Sequence, residues 1–380
     1  MHKKNLLKAI LIPACLFTFL PVHADDMEIA SPHAVLMDTG SGSVLYEKDS
    51  QTQVPARAMA IAMNVLVSYD SNEEKVTFQN KDESFDKAAG LENKKSYAVA
   101  DLRAQALIGG YQDASCALSL LGEDGIKLLN NKAAALSMTK TVFANVTGAA
   151  DDTQVTTAHD LGLLGAALDT SAKDLYGASS YTLSDDSTVS RDVYSYDGLD
   201  GYYYWQDDTG VSAVASASRD GTRLTAAVMQ ADSEETAFAD LTKLLDDGYN
   251  NFKSVAITKD AVGTKELDIM DNGTNVHVSF ALSSDLSVLM AKDADESALT
   301  TSIEVMDETS ASDCRAYLVI SMNGEEMGRF PLTKTTSQDV SSDSAAKKTN
   351  VFGIVCTVVT VVSVLLFVYK YASRLIKPHA

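Results

Sequence analysis

Apolar positions fall into three textures along the chain. Both ends carry long unbroken apolar runs. The stretch up to Phe252 mixes helix-period and strand-length segments, and the residues after it alternate in short pieces. Ala34 to Tyr46 reads as two short strands around a Gly-rich turn, a β-hairpin. Ala56 to Ser68 is an Ala- and Met-rich run suited to a buried helix, and Leu102–Leu121, Gly125–Leu136 and Ala158–Leu168 have helical period. Val211–Ala217 and Arg223–Met229 flank Arg219-Asp220-Gly221-Thr222, whose residue types predict a hairpin turn. Phe238, Leu241, Leu245, Tyr249 and Phe252 predict a helix over 236–252. Strands, then helices, then strands predict an α/β sheet packed against a helical cluster.

From residue 253 the segments Ser254–Thr258, Lys265–Ile269, Val276–Leu282, Ser287–Ala291, Thr301–Met306, Arg315–Met322 and Met327–Leu332 alternate between Gly, Asn, Asp and Ser clusters. They predict a small β-sandwich over 253–336. Residues 337–350 are polar and read as a linker. Val351 to Tyr369 has no charge and is long enough to span hydrocarbon, which leaves 370–380 as a short basic tail. At the other end, Lys3 and Lys4 precede an apolar run and then Pro21-Val22-His23-Ala24, the pattern of a secretory signal over 1–24. Cys15 is read as part of that signal rather than as an acylation site, because Pro13 suits such a site poorly and the apolar run continues past the cysteine. The expected arrangement is a single-pass cell-membrane protein with an extracellular ectodomain.

Charge sharpens this picture. The chain has 31 Lys plus Arg and 52 Asp plus Glu, a net of −21. Three lysines lie in 1–24 and three cations in 351–380, with no acid in either, so the stretch between holds 25 bases, 52 acids and a net of −27. That excludes a nucleic-acid binder, which needs a cationic face to displace counterions. Cys116 and Cys314 are too far apart in sequence to suggest a disulfide framework, and His33, His159 and His277 lack ligand spacing. Neither a metal nor another cofactor is expected. Asn145-Val-Thr147 and Asn272-Gly-Thr274 are read as turn residues rather than glycosylation sites.

A collinear set of segments carries a resemblance. Asp38-Thr-Gly-Ser-Gly-Ser-Val-Leu-Tyr-Glu-Lys48, Pro55-Ala56, Asp113-Ala-Ser-Cys-Ala-Leu118, Phe143-Ala-Asn-Val-Thr-Gly148, Thr156-Thr-Ala-His-Asp-Leu161, Gly198-Leu-Asp-Gly201 and Ala217-Ser-Arg-Asp-Gly-Thr-Arg-Leu224 follow one another in order. Together they resemble the D-alanyl-D-alanine carboxypeptidases, the low-molecular-mass penicillin-binding proteins. The resemblance covers about residues 30–250. It implies a penicillin-binding-protein/β-lactamase-like domain at 25–252, with an antiparallel sheet and a helical cluster, followed by the all-β domain and the C-terminal transmembrane helix.

The same resemblance implies an S-x-x-K hydrolase, in which serine attacks a peptide carbonyl and lysine helps take its proton. Every polar position of that apparatus is changed. Arg57 follows Pro55-Ala56 where the serine belongs, and Ala60 stands for the lysine. Gly110-Tyr111-Gln112 replaces Ser-x-Asn, and Tyr203-Tyr204-Trp205 replaces Lys-Thr-Gly. Ser84-Phe-Asp-Lys87 and Ser137-Met-Thr-Lys140 also spell S-x-x-K, but they read as solvated surface residues. A tyrosine nucleophile would need a pKa far below ~10.

The expected protein is therefore a catalytically inactive carboxypeptidase homologue that binds peptidoglycan or a cell-wall peptide. Its candidate binding residues are Arg57, Gln112, Tyr203, Tyr204 and Trp205. A guanidinium can clamp a carboxylate, and aromatic faces can pack on sugar rings. Two alternatives stay open. One is an active serine carboxypeptidase using residues not placed here; the other is a membrane-anchored scaffold whose groove is filled, with Arg57 in a structural ion pair.

Overall fold

The computed structural model describes residues 27–80, 84–271, 274–306 and 314–340. The expected signal at 1–24, the span at 351–369 and the tail at 370–380 lie outside the described residues. Among the described residues no helix is long and apolar enough to cross a membrane. The chain divides into two compact units, one ending at Phe252 and the other beginning at Lys253.

The first unit is built on strands β1 (His33–Asp38), β2 (Val44–Lys48), β3 (Leu199–Asp207), β4 (Gly210–Arg219) and β5 (Thr222–Ala231). They form one antiparallel sheet in the order β2-β1-β5-β4-β3. Strand β1 is buried on both faces, which explains its unbroken apolar run, Ala34-Val-Leu-Met37, in place of alternation. Asp220 and Gly221 both take positive φ in the β4–β5 turn, as a tight hairpin matched to strand twist requires.

One face of the sheet meets a helical cluster of α1 (Met59–Ser68), α2 (Val99–Leu107), α3 (Gln112–Ser119), α4 (Gly125–Ala135) and α5 (Ala158–Ser171). Helix α1 packs against the other four and is buried almost all round, so it needs no polar stripe. Helix α5 lies close to the sheet because Gly162 and Gly165 carry no side chain. A Cβ on Gly165 would stand 2.3 Å from Val214 Cγ2. The opposite face is covered by α6 (Glu234–Asn251), whose start is capped by Ser233 accepting from the Thr236 N–H. The single helix expected over 102–121 is instead the pair α2 and α3. The break falls at Gly109-Gly110, where Gly110 has φ +66 and a Cβ on Gly109 would strike the Tyr111 ring at 2.5 Å.

The second unit contains β6 (Phe252–Ile257), β7 (Thr264–Asp271), β8 (Thr274–Ala281), β9 (Leu286–Ala291), β10 (Leu299–Met306), β11 (Arg315–Met322), β12 (Glu325–Pro331) and β13 (Thr333–Val340). They pair as β6-β9, β7-β8-β13 and β10-β11-β12 around Val278, Phe280, Leu318 and Ile320. Strand β13 corrects the linker expectation for 337–340. Those residues pair with β8, Ser337 opposite Val278 and Val340 opposite Asn275, so their backbone is part of a sheet.

Candidate functional site

The chain enters α1 through a two-residue bridge, Val54 opposite Thr156, and a bond from the Ala56 N–H to the Gln154 carbonyl. Arg57 follows with φ +44, a left-handed conformation that a residue with a Cβ adopts at some cost. Gly148 makes room for it, since a Cβ there would sit 2.9 Å from the Arg57 carbonyl oxygen and 2.8 Å from Ala58 Cα. The Arg57 side chain is only 15% exposed. Its Nη2 donates to Asp208 Oδ1 at 2.9 Å, while its Nε is buried without a partner. Asp208 is 75% exposed on the turn between β3 and β4. Ala60, one helical turn after Arg57, is fully buried and its side chain offers no polar atom.

Strand β3 supplies the tyrosines, and its period of two separates them. Tyr203 and Trp205 belong to the core shared with α1, their rings 5.8 Å apart. Tyr203 is 3% exposed, and its hydroxyl donates at 2.8 Å to the Ala58 carbonyl, which also accepts from the Ile61 N–H, so the buried hydroxyl is satisfied. Burial pushes its phenol far above the usual value, only partly opposed by the charge of Arg191. The hydroxyl therefore stays protonated and un-nucleophilic at neutral pH. The Trp205 indole N–H donates to Asp207 Oδ2 at 3.0 Å.

Tyr202 and Tyr204 point to the other side of the sheet, so the four aromatic residues do not line one edge. Tyr204 stacks beside Tyr202 and lies edge-on to Phe238 of α6. Its phenol is pushed up to about 12, first by burial and then by Glu234 and Asp192.

Gln112 opens α3 and faces a loop. Its Oε1 accepts from the Asp86 N–H at 2.7 Å, and its own N–H donates to the Lys87 carbonyl at 2.9 Å. The neighbouring Asp113 is buried and accepts from the N–H groups of Ala89, Gly90 and Leu91. The start of α3 is thus a clamp on residues 86–91. Lys87 lies over the Tyr111 ring, 5.6 Å from its centre. Ser84 and Lys87 are exposed, and Lys140 is engaged elsewhere, its Nζ donating to the Gln51 carbonyl. Asn145 acts in a turn, its side-chain oxygen accepting from the N–H groups of Thr147 and Gly148.

Arg57, Tyr203 and Trp205 therefore share one neighbourhood at the start of α1, while Tyr204 lies on the far side of β3 and Gln112 is occupied with the loop. Sequence reading missed Asp208 and the Asp113 clamp. The acidic turn Asp207-Asp208-Thr209-Gly210 is legible as a turn, but nothing local to it points to Arg57.

A five-stranded antiparallel sheet with a helical cluster on one face and a single helix on the other is the fold of solved penicillin-binding proteins. Penicillin-binding protein 5 of Haemophilus influenzae matches 81% of this chain and 97% of its own with a TM-score of 0.64 at 18% identity. Penicillin-binding protein 6B of Escherichia coli matches 81% and 96% with a TM-score of 0.59 at 22% identity. The D-alanyl-D-alanine carboxypeptidase DacF of Bacillus subtilis is 24% identical over 91% of this chain and 94% of its own length. The peptidase S11 family model, D-alanyl-D-alanine carboxypeptidase, matches residues 21–233, and the chain belongs to that family.

Proposed function

We propose that this protein is a non-hydrolytic member of the family, exported by its N-terminal signal, held at the membrane by residues 351–369, and binding cell-wall peptides through a remodelled groove. One observation carries the loss of hydrolysis: the three positions that would hold nucleophile, base and carboxylate anchor are otherwise committed. Arg57 is ion-paired, the Ala60 side chain has no polar atom, and the Tyr203 hydroxyl is buried on the Ala58 carbonyl. An arginine stays protonated, so it can neither attack a carbonyl nor accept the proton that attack releases. What Arg57 can do is hold a carboxylate, and the stem peptides of peptidoglycan end in one.

Labelling with a fluorescent penicillin tests the first half, because acylation reports a nucleophile directly. No labelled band is expected, and a clear one sinks the proposal. Peptidoglycan pull-down tests the second half, with retention expected to fall in Arg57→Ala. A second reading, a scaffold with a filled groove, is favoured by the burial of Tyr203 and Trp205. Retention unchanged in both Arg57→Ala and Trp205→Ala would move the assignment to it.

A further inference from the structure

The members of the Arg57–Asp208 pair are unequal. The guanidinium is largely buried and cannot shed its charge, so an anion must stay on it. The carboxylate that serves is mostly exposed and sits on a surface turn. That turn does not depend on it. The neighbouring Asp207 makes the local bonds, accepting from the Thr209 N–H at 2.7 Å, the Thr209 hydroxyl at 2.6 Å and the Trp205 indole at 3.0 Å. Asp208 can swing into water while Asp207 keeps the hairpin closed.

We propose that Asp208 is an intramolecular stand-in for a ligand carboxylate. It occupies Arg57 in the empty protein and is exchanged for the carboxylate of an incoming peptide. Charge balances in the exchange: one carboxylate leaves the guanidinium for water as another arrives, with no proton moved and no covalent bond altered. Apparent affinity is then lowered by the fraction of protein in which Asp208 is seated. The inference rests on the wall-peptide reading only for the identity of the incoming group.

Binding of an acetylated peptide ending in D-Ala-D-Ala to the full-length protein tests the exchange in wild type, Asp208→Asn and the double variant Arg57→Gln/Asp208→Asn. The probe should bind Asp208→Asn about tenfold more tightly than wild type. The gain should vanish with the C-terminal carboxamide of the same peptide and in the double variant. Sodium acetate supplies an independent arm, and should raise the melting temperature of Asp208→Asn but not of wild type. An acetate response in Asp208→Asn without peptide binding keeps the exchange and removes the wall-peptide reading. If Asp208→Asn behaves as wild type toward both acetate and peptide, the exchange is overturned, whether or not the wild type is retained by peptidoglycan.

Discussion

Tyr203 and Tyr204 are consecutive on β3 and chemically identical, yet the sheet sends them into different solvents. Tyr203 enters the core beneath α1, where a hydroxyl is tolerable only because the Ala58 carbonyl accepts from it. Tyr204 lies half-buried against Phe238 and Tyr202, and its hydroxyl sits 3.5 Å from Asp192, where water can replace that contact. On the α1 side of the strand Tyr203 and Trp205 are packed interior. The α6 side kept the ordinary mixture of ring and polar tip. One step along the strand is thus a change of solvent for the same functional group.

The contrast can be broken by measurement. Tyr203→Ala should cost about 3–5 kcal/mol in urea unfolding, as for other large buried rings. Tyr204→Ala should cost less, about 2 kcal/mol, because its ring is only partly removed from water. Equal losses would mean that the two faces do not differ as described. Asp113→Ala should cost about 2 kcal/mol and should raise hydrogen exchange at the amides of Ala89, Gly90 and Leu91, which lose their shared acceptor.

Alkaline titration sharpens the same comparison. The folded Tyr203 phenol is raised above the unfolded value, so the unfolded chain releases a proton that the folded one keeps. Its contribution therefore falls as pH rises from the unfolded pKa toward the folded one. One unit above pH 10, wild type should have lost about 1 kcal/mol relative to Tyr203→Phe. Urea midpoints for the two proteins at pH 9 and pH 11 check this, and a parallel decline would remove the assignment. At neutral pH Tyr203→Phe should cost about 1 kcal/mol through loss of the hydroxyl's bond to the Ala58 carbonyl, which keeps its donor from Ile61, and Tyr204→Phe close to nothing.

Local patterning made much of the architecture legible. The β1–β2 and β4–β5 hairpins, α1, α5, α6 and most strands of the second unit follow from apolar spacing and turn residues. The boundary between α2 and α3 did not, because two glycines inside a helical period are tolerated in many helices. Here the Tyr111 ring and the left-handed Gly110 make them a break. The resemblance singles out Arg57 and Tyr203 but says nothing of their partners. Asp208 meets Arg57 only because β3 and its turn fold back over α1, and Asp113 reaches the 89–91 amides across a loop. Alternation along β3 separates Tyr203 from Tyr204, a division that the comparison with Lys-Thr-Gly does not carry.

The sheet order has a consequence in time. His33 at the start of β1 lies opposite Met229 in β5, so the central strand β5 and its neighbour β1 come from opposite ends of the first unit. A chain emerging from synthesis can form α1 through α5 early, but β1 must wait for residues near 230 before its inner edge is paired. Non-local pairing of this kind makes folding slow relative to helical bundles and leaves an apolar strand edge exposed meanwhile. Chains cut short before β5 should therefore be the ones that aggregate, however complete their helices.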